Sequence, residues 1–216
     1  MKKITILKTF QGLLKYLIEL SIVAFGVFLG FYIGERNNQK RTDQNTLNAL
    51  TQIISELQSN AKNIEFAIEY HEKLSIELDS VTKNLTRNDY TLLFLENKER
   101  FNFAQMPSWK GYWVGHTNSI IFESSKISGV FNEFNIETIQ IIAGIYEFQE
   151  QYAELGSQSL NKLLDMDSST KVMDVIGLLE RLVKNDIYSI EKLLLQEMKK
   201  SIEELEKIKE ERSYKK

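Results

Sequence analysis

Between Leu13 and Gly34 the chain reads LLKYLIELSIVAFGVFLGFYIG, and from Leu20 onward the stretch carries neither a charge nor a proline. At about 1.5 Å of rise per residue, the roughly 18 residues from Leu17 to Gly34 cover about 27 Å, close to the ~30 Å hydrocarbon thickness of a bilayer. The stretch therefore reads as a transmembrane helix, and one span divides the chain into three parts. Residues 1–12 are a short cytoplasmic tail, 13–34 the membrane helix, and 35–216 an extracytoplasmic α-helical domain.

The orientation follows from the lysines. Lys2, Lys3, Lys8 and Lys15 all precede the first acid, Glu19, whereas Arg36, Lys40 and Arg41 flank the other side. Short flanks rich in Lys and Arg stay cytoplasmic, and a long domain is translocated largely whatever its charge. The expected location is a bacterial inner membrane, single-pass, with the domain in the periplasm. A cleaved signal peptide is the rival reading, but the apolar run is long and lacks a clean small-x-small cleavage site.

Gly26, Gly30 and Gly34 recur every fourth residue, so at about 100° per residue they form one narrow stripe of bare backbone. In lipid, close packing of small residues is one of the few sources of helix association, and a doubled G-x-x-x-G is its usual sign. Ordinary tolerance of glycine in membrane helices is the alternative. Glu19 lies seven residues before Gly26, about 20° away around the helix, and so shares the stripe. It reads either as an interfacial residue paired with Lys15 or as a buried carboxylate that binds a cation, a proton or a partner.

No cysteine occurs among the 216 residues, which removes disulfides and thiolate chemistry and leaves the redox compartment open. From Glu19 onward 23 basic face 30 acidic side chains, so a nucleic-acid surface is not expected. One proline and no long Gly, Ser or Pro-rich linker point to an all-α fold.

Beyond the polar run Glu35–Arg41, apolar residues recur in alternating steps of three and four: Leu47, Leu50, Ile54, Leu57, Ala61, Ile64, Ile68, His71, Ser75, Leu78, Thr82, Leu85. That is a heptad a/d pattern, and it predicts a coiled-coil-like helix over about Gln39 to Leu85, roughly 70 Å long. Nothing breaks it from the membrane onward, so the anchor continues into one long helix. Ile53, Phe66, Ala67 and Leu74 widen its stripe enough to hold other helices. Tyr90–Arg100 reads as a short helix or strand. Phe101–Gly115 holds the only proline, Pro107, and reads as an aromatic loop covering the helix ends. Its residues Trp109, Tyr112 and Trp113 form a candidate partner or ligand patch.

Asn118–Ile127 reads as a helix stopped by Gly129, and Asn135 caps the next, which runs past Tyr152 toward Leu164. Ser168 and Ser169 start a further helix to about Val183. Asp186 opens the last, whose apolar face is Ile187, Ile190, Leu194, Met198, Ile202, Leu205 and Ile208. The expected fold is thus an N-terminal transmembrane helix continuing into a long helix packed in an antiparallel helical bundle.

The stretch Ser119-Ile-Ile-Phe-Glu-Ser-Ser-Lys-Ile-Ser-Gly129, followed by Ile136–Tyr152, resembles the AYETLKSSG region and succeeding helix of an uncharacterised single-pass membrane-protein family widespread in Bacteroidota. The spacing of Glu19 and Gly26 is similar to that family's anchor. The chain departs from it after the span, with Gly34-Glu35-Arg36 where Asn-Asn-Trp is usual. The resemblance implies a membrane anchor plus helical domain and carries over no catalytic residue.

Neither histidine, His71 or His116, stands in a metal-binding spacing, and no phosphate loop, nucleophile elbow or nucleotide fingerprint occurs. His71 falls on a d position and reads as a packed residue; His116 precedes Glu123 by seven, the one acid–base pairing a helix face would allow. No catalytic residue, cofactor or metal is expected. The reading is a non-catalytic interaction or assembly protein, an oligomeric accessory subunit whose partners are membrane lipid and either copies of itself or a larger membrane protein. The alternatives are a ligand-binding sensor signalling through a partner and an ion-coupled membrane subunit using Glu19.

Overall fold

The computed structural model describes the backbone of residues 2–214 and the side chains of residues 16–213, and the chain is all-α. Five helices follow one another: α1 Lys2–Thr82, α2 Ile120–Ile127, α3 Ile136–Leu164, α4 Val172–Val183 and α5 Asp186–Tyr214. Short 3-10 turns occupy Asp89–Thr91, Phe103–Gln105 and Val130–Glu133. The chain divides into two compact units, residues 1–46 and 47–216, and α1 contributes to both.

In the first unit every described side chain from Tyr16 to Arg41 is exposed, including Ile22, Phe25, Phe28 and Phe31. Among the described residues this is the one helix long and apolar enough to cross a membrane. The polar residues 35–46 fall in this unit. Lys15, the partner of Glu19 in one of its two readings, lies outside the residues whose side chains are described.

In the second unit the three-and-four spacing of α1 becomes its buried face: Leu50, Ile54, Leu57, Ala61, Ile64, His71 and Leu78 are all buried, with Ile53, Ala67 and Leu74 beside them. Phe66, expected to widen that stripe, is 61% exposed instead. α5 runs antiparallel to α1, as the rising and falling numbers of Gln58–Glu206, Glu65–Lys199 and Glu72–Tyr188 require. α3 runs parallel to α1, with Glu56 against Tyr146 and Asn60 against Gln149. Ile187, Leu194, Met198 and Leu205 close the core from α5. Each such fully buried aliphatic side chain contributes about 1.5–3 kcal/mol.

The helix boundaries follow local chemistry. Asn135 caps α3 by accepting from the Thr138 N–H at 2.9 Å. α4 starts at Val172, later than the serines suggest, because Asp167 gathers the Ser169 N–H and hydroxyl at 2.8 and 2.7 Å into a tight turn. Those two bonds also hold the Asp167 carboxyl below the usual carboxylate range. The turn leaves Thr170 and Val172 to pair with Phe94 and Leu92 through backbone bonds of 2.8 and 2.9 Å. So Tyr90–Arg100 is neither helix nor strand beyond its first turn; it is tied down by this single antiparallel bridge, Leu93 to Lys171.

Gly129, after α2, has φ +78°, the left-handed conformation that a side chain disfavours. A Cβ there meets nothing within 4 Å, so the cost of Gly129→Ala is backbone strain alone. The expected loss is about 1 kcal/mol, read as a melting temperature about 2–4 °C lower.

Candidate functional site

Between α1 and α3, where a bundle would ordinarily place a descending helix, residues 107–118 descend as an extended strap. From Glu77 down to Asn60 the helix axis covers about 26 Å, a distance that ten residues bridge only when stretched. An extended segment with no strand beside it must find other partners for its N–H and C=O groups. α1 supplies them from side chains. The Ser108 N–H donates to Glu77 at 3.0 Å, and the Tyr70 hydroxyl accepts from the Lys110 N–H at 3.1 Å while donating to Gly111 O at 2.8 Å. Lower down, Asn63 donates to His116 O at 3.0 Å, and Asn60 both donates to Asn118 O and accepts from its N–H, at 2.7 and 2.9 Å. Glu56 completes the row at the start of α2, accepting from the Ile121 N–H at 2.9 Å and from the Tyr146 hydroxyl at 2.6 Å.

The middle of the strap is held in the dry core. His71 Nε2 lies 2.9 Å from Trp113 O, and its Nδ1 lies 2.8 Å from Glu191 Oε2 on α5. The other oxygen of Glu191 accepts from the Tyr152 hydroxyl of α3 at 2.7 Å, and that hydroxyl accepts from the Gly115 N–H at 2.6 Å. Neither His71 nor Glu191 has any exposed surface. Gly115 is needed for so close an approach: a Cβ there would stand 2.7 Å from Ile64 Cδ1 and 3.3 Å from both Ala67 Cβ and Asn63 O. Burial, reinforced by the neighbouring carboxylates, pushes the Tyr146 and Tyr152 phenols well above their ordinary range and fixes both as donors.

Of the three aromatic residues expected to share a patch, Tyr112 and Trp113 line one groove and Trp109 does not. Trp109 stacks on Phe103 at 4.5 Å, beside Phe94 and Phe101, and is part of the packing. Tyr112 is half-buried, and burial raises its phenol. Trp113 stands at the surface, edge-on to Tyr70 at 5.7 Å. Tyr112 and Trp113 line an open groove of about 620 Å³ with Phe66, Tyr70, Lys73 and Lys110. The patch therefore loses Trp109 and gains Phe66.

Gly26, Gly30 and Gly34 have nothing within 4 Å of where a Cβ would stand, so their stripe is open within this chain. His116 and Glu123 are engaged separately, with Asn118 at 3.0 Å and Lys126 at 3.1 Å. Among the described residues no three carboxylates or histidines converge as metal ligands. Comparison with protein-family models, with curated proteins and with solved structures found no match.

The residues that organise the strap escape a reading based on apolar periodicity, yet they are periodic. Glu56, Asn63, Tyr70 and Glu77 are seven apart, and with Asn60, Ala67 and Leu74 they form a second, largely polar heptad seam along α1.

Proposed function

We propose that the chain is a membrane-anchored, non-catalytic interaction protein, an oligomeric accessory subunit of a larger membrane complex. It is single-pass in a bacterial inner membrane, with residues 35–216 in the periplasm. The observation that carries this reading is α1 itself. Its first part exposes an uncharged, largely apolar surface from Leu20 to Ile33, and its later part is the core helix of a folded bundle. An exposed apolar helix is covered by lipid or by another helix, and the open glycine stripe suits the second on one face. Within the bundle His71 and Glu191, which have no exposed surface, spend their hydrogen bonds on the strap and on the side chains that hold it, which suits a scaffold better than an active site. The resemblance of Ser119–Gly129 to an anchored helical family supports the same architecture.

The test uses the absence of native cysteine. Val23→Cys, seven residues before Gly30 and so on its face, is oxidised in isolated membranes and the covalent dimer is measured. Gly30→Leu is expected to abolish that dimer and to leave insertion intact, because Leu favours the bilayer core. Phe28→Leu, about 160° away, leaves the dimer unchanged. Equal crosslinking in all three backgrounds would mean that the seam does not exist. For orientation, Lys8→Cys is expected to resist a membrane-impermeant maleimide in outer-membrane-permeabilised cells and Lys110→Cys to react; the reverse pattern reverses the topology.

A further inference from the structure

The hydrogen bonds at the centre of the strap require a proton that the isolated side chains do not hold together at neutral pH. Trp113 O accepts only, so His71 Nε2 carries a hydrogen. The single Tyr152 hydroxyl hydrogen goes to Glu191 Oε1, since its oxygen is already accepting from the Gly115 N–H. That leaves His71 Nδ1 facing Glu191 Oε2 at 2.8 Å in a site with no exposed surface. A neutral imidazole and a carboxylate would meet there as two lone pairs, so one further proton lies between them, on either atom.

We propose that His71 and Glu191 form a proton-dependent clasp that fastens the Trp113–Gly115 part of the strap to the bundle and loosens it as pH rises. The clasp joins three helices to one segment: His71 from α1, Tyr152 from α3 and Glu191 from α5 converge on the backbone of Trp113 and Gly115. The other titratable groups facing it are Tyr70 on α1, with its ring 5.5 Å from that of His71, and Tyr112 on the strap, which senses Glu191 and, from α4, Arg181. Burial is the first cause that raises the phenols of Tyr70, Tyr112 and Tyr152, so each stays neutral through the physiological range. Arg181 stays cationic throughout. The proton between His71 and Glu191 is therefore the one that the closed arrangement needs in addition.

The sign follows from proton counting. With the strap open and the clasp apart, histidine is neutral above about pH 6.5 and glutamate is ionised, so only the closed clasp holds the extra proton. Raising pH then favours opening, by up to about tenfold per pH unit, and lowering it favours closure. Opening frees Trp113, one of the aromatic residues that line the groove.

The chain's two tryptophans, Trp109 and Trp113, both lie in the strap, so their fluorescence reports on it directly. The full chain in detergent micelles is titrated from pH 6 to 9. The readouts are acrylamide quenching of tryptophan and amide exchange of residues 108–118 corrected for its intrinsic pH dependence. The expected result is a loss of strap protection approaching tenfold per pH unit while helicity stays constant. Glu191→Gln is the decisive variant, because its amide N–H donates to a neutral Nδ1 and its carbonyl accepts from Tyr152 without an added proton. Its strap protection is expected to be flat across the same range. A flat profile in the unmodified protein, or an equal slope in Glu191→Gln, overturns the proposal. Should the variant not fold, the profile of the unmodified protein alone decides, a flat one overturning the clasp and a falling one at constant helicity supporting it.

Discussion

Glu56→Leu is expected to lose about 3 kcal/mol of folding stability, because one side chain satisfies three donors at once, and a buried donor left alone costs about 1–3 kcal/mol. The carboxylate accepts from the Tyr146 hydroxyl at 2.6 Å, from the Ile121 N–H at 2.9 Å and more weakly from the Phe122 N–H at 3.4 Å. Leucine fills similar volume and accepts nothing. The damage spreads because Tyr146 also stacks on Phe122, with ring centroids 4.4 Å apart. Misplacing the phenol therefore disturbs the seat of α2 as well as its first turn. Glu56→Gln keeps one carbonyl acceptor for Tyr146 and is expected to lose about 1 kcal/mol, the difference between a charge-assisted bond and a neutral one. Urea unfolding of the full chain in micelles measures both. With stabilities of this class at about 5–15 kcal/mol, the Leu variant should melt roughly 6–12 °C lower. A change within about 0.5 kcal/mol, the scatter of surface substitutions, would show that water replaces Glu56 without penalty.

The second large effect concerns the anchor. Val23→Lys combined with Val27→Lys places two ammonium groups near the centre of the apolar stretch, where each costs about 2.5–3.5 kcal/mol on insertion scales. Both valines are exposed, so neither substitution disturbs packing within the chain. The doubly substituted protein is expected to leave the carbonate-resistant membrane fraction, while residues 47–216 keep the helicity and melting of the parent. Retention in the membrane would mean that the stretch is held by something other than hydrocarbon. Separate fates for the two halves are what two compact units lead one to expect.

Much of this architecture is readable in the residues. The alternating steps from Leu50 to Leu78, the cap at Asn135, the stop at Gly129 and the start at Asp186 are local signals, and each sits where its own chemistry puts it. The strap is less readable because its bonds run from side chain to backbone between segments as far apart as Asn60 and Asn118. In sequence, Glu56, Asn60 and Asn63 look like a solvated face; the strap and the start of α2 lying on them bury Asn60 and leave the other two half-buried. Glu191 is hidden differently. It continues the seam Ile187, Glu191, Leu194, Met198, but neighbouring Ile190 offers an apolar substitute that keeps the face uniform. Recognising it requires reading two helices together, since His71 holds the matching seam position on α1. Phe66 and Trp109 exchange roles for a simpler reason: aromatic content marks neither packing nor exposure, and the choice depends on where the strap turns.

The bond between Gln58 and Glu206 joins residues 148 apart, and α5 is the last element to join the core built on α1. At about 5–20 residues per second, ribosomal synthesis of the intervening chain takes roughly 7–30 s. Through that interval Leu50, Leu57 and Ile64 have been made and α5, which closes the core they belong to, has not. The nascent protein thus carries, beside the exposed apolar stretch from Leu20 to Ile33, a second apolar stripe with no permanent partner. Its yield in a cell will depend on what shields that stripe until Ile187–Leu205 arrives, and a premature stop after α3 will produce an aggregating species rather than a smaller folded one.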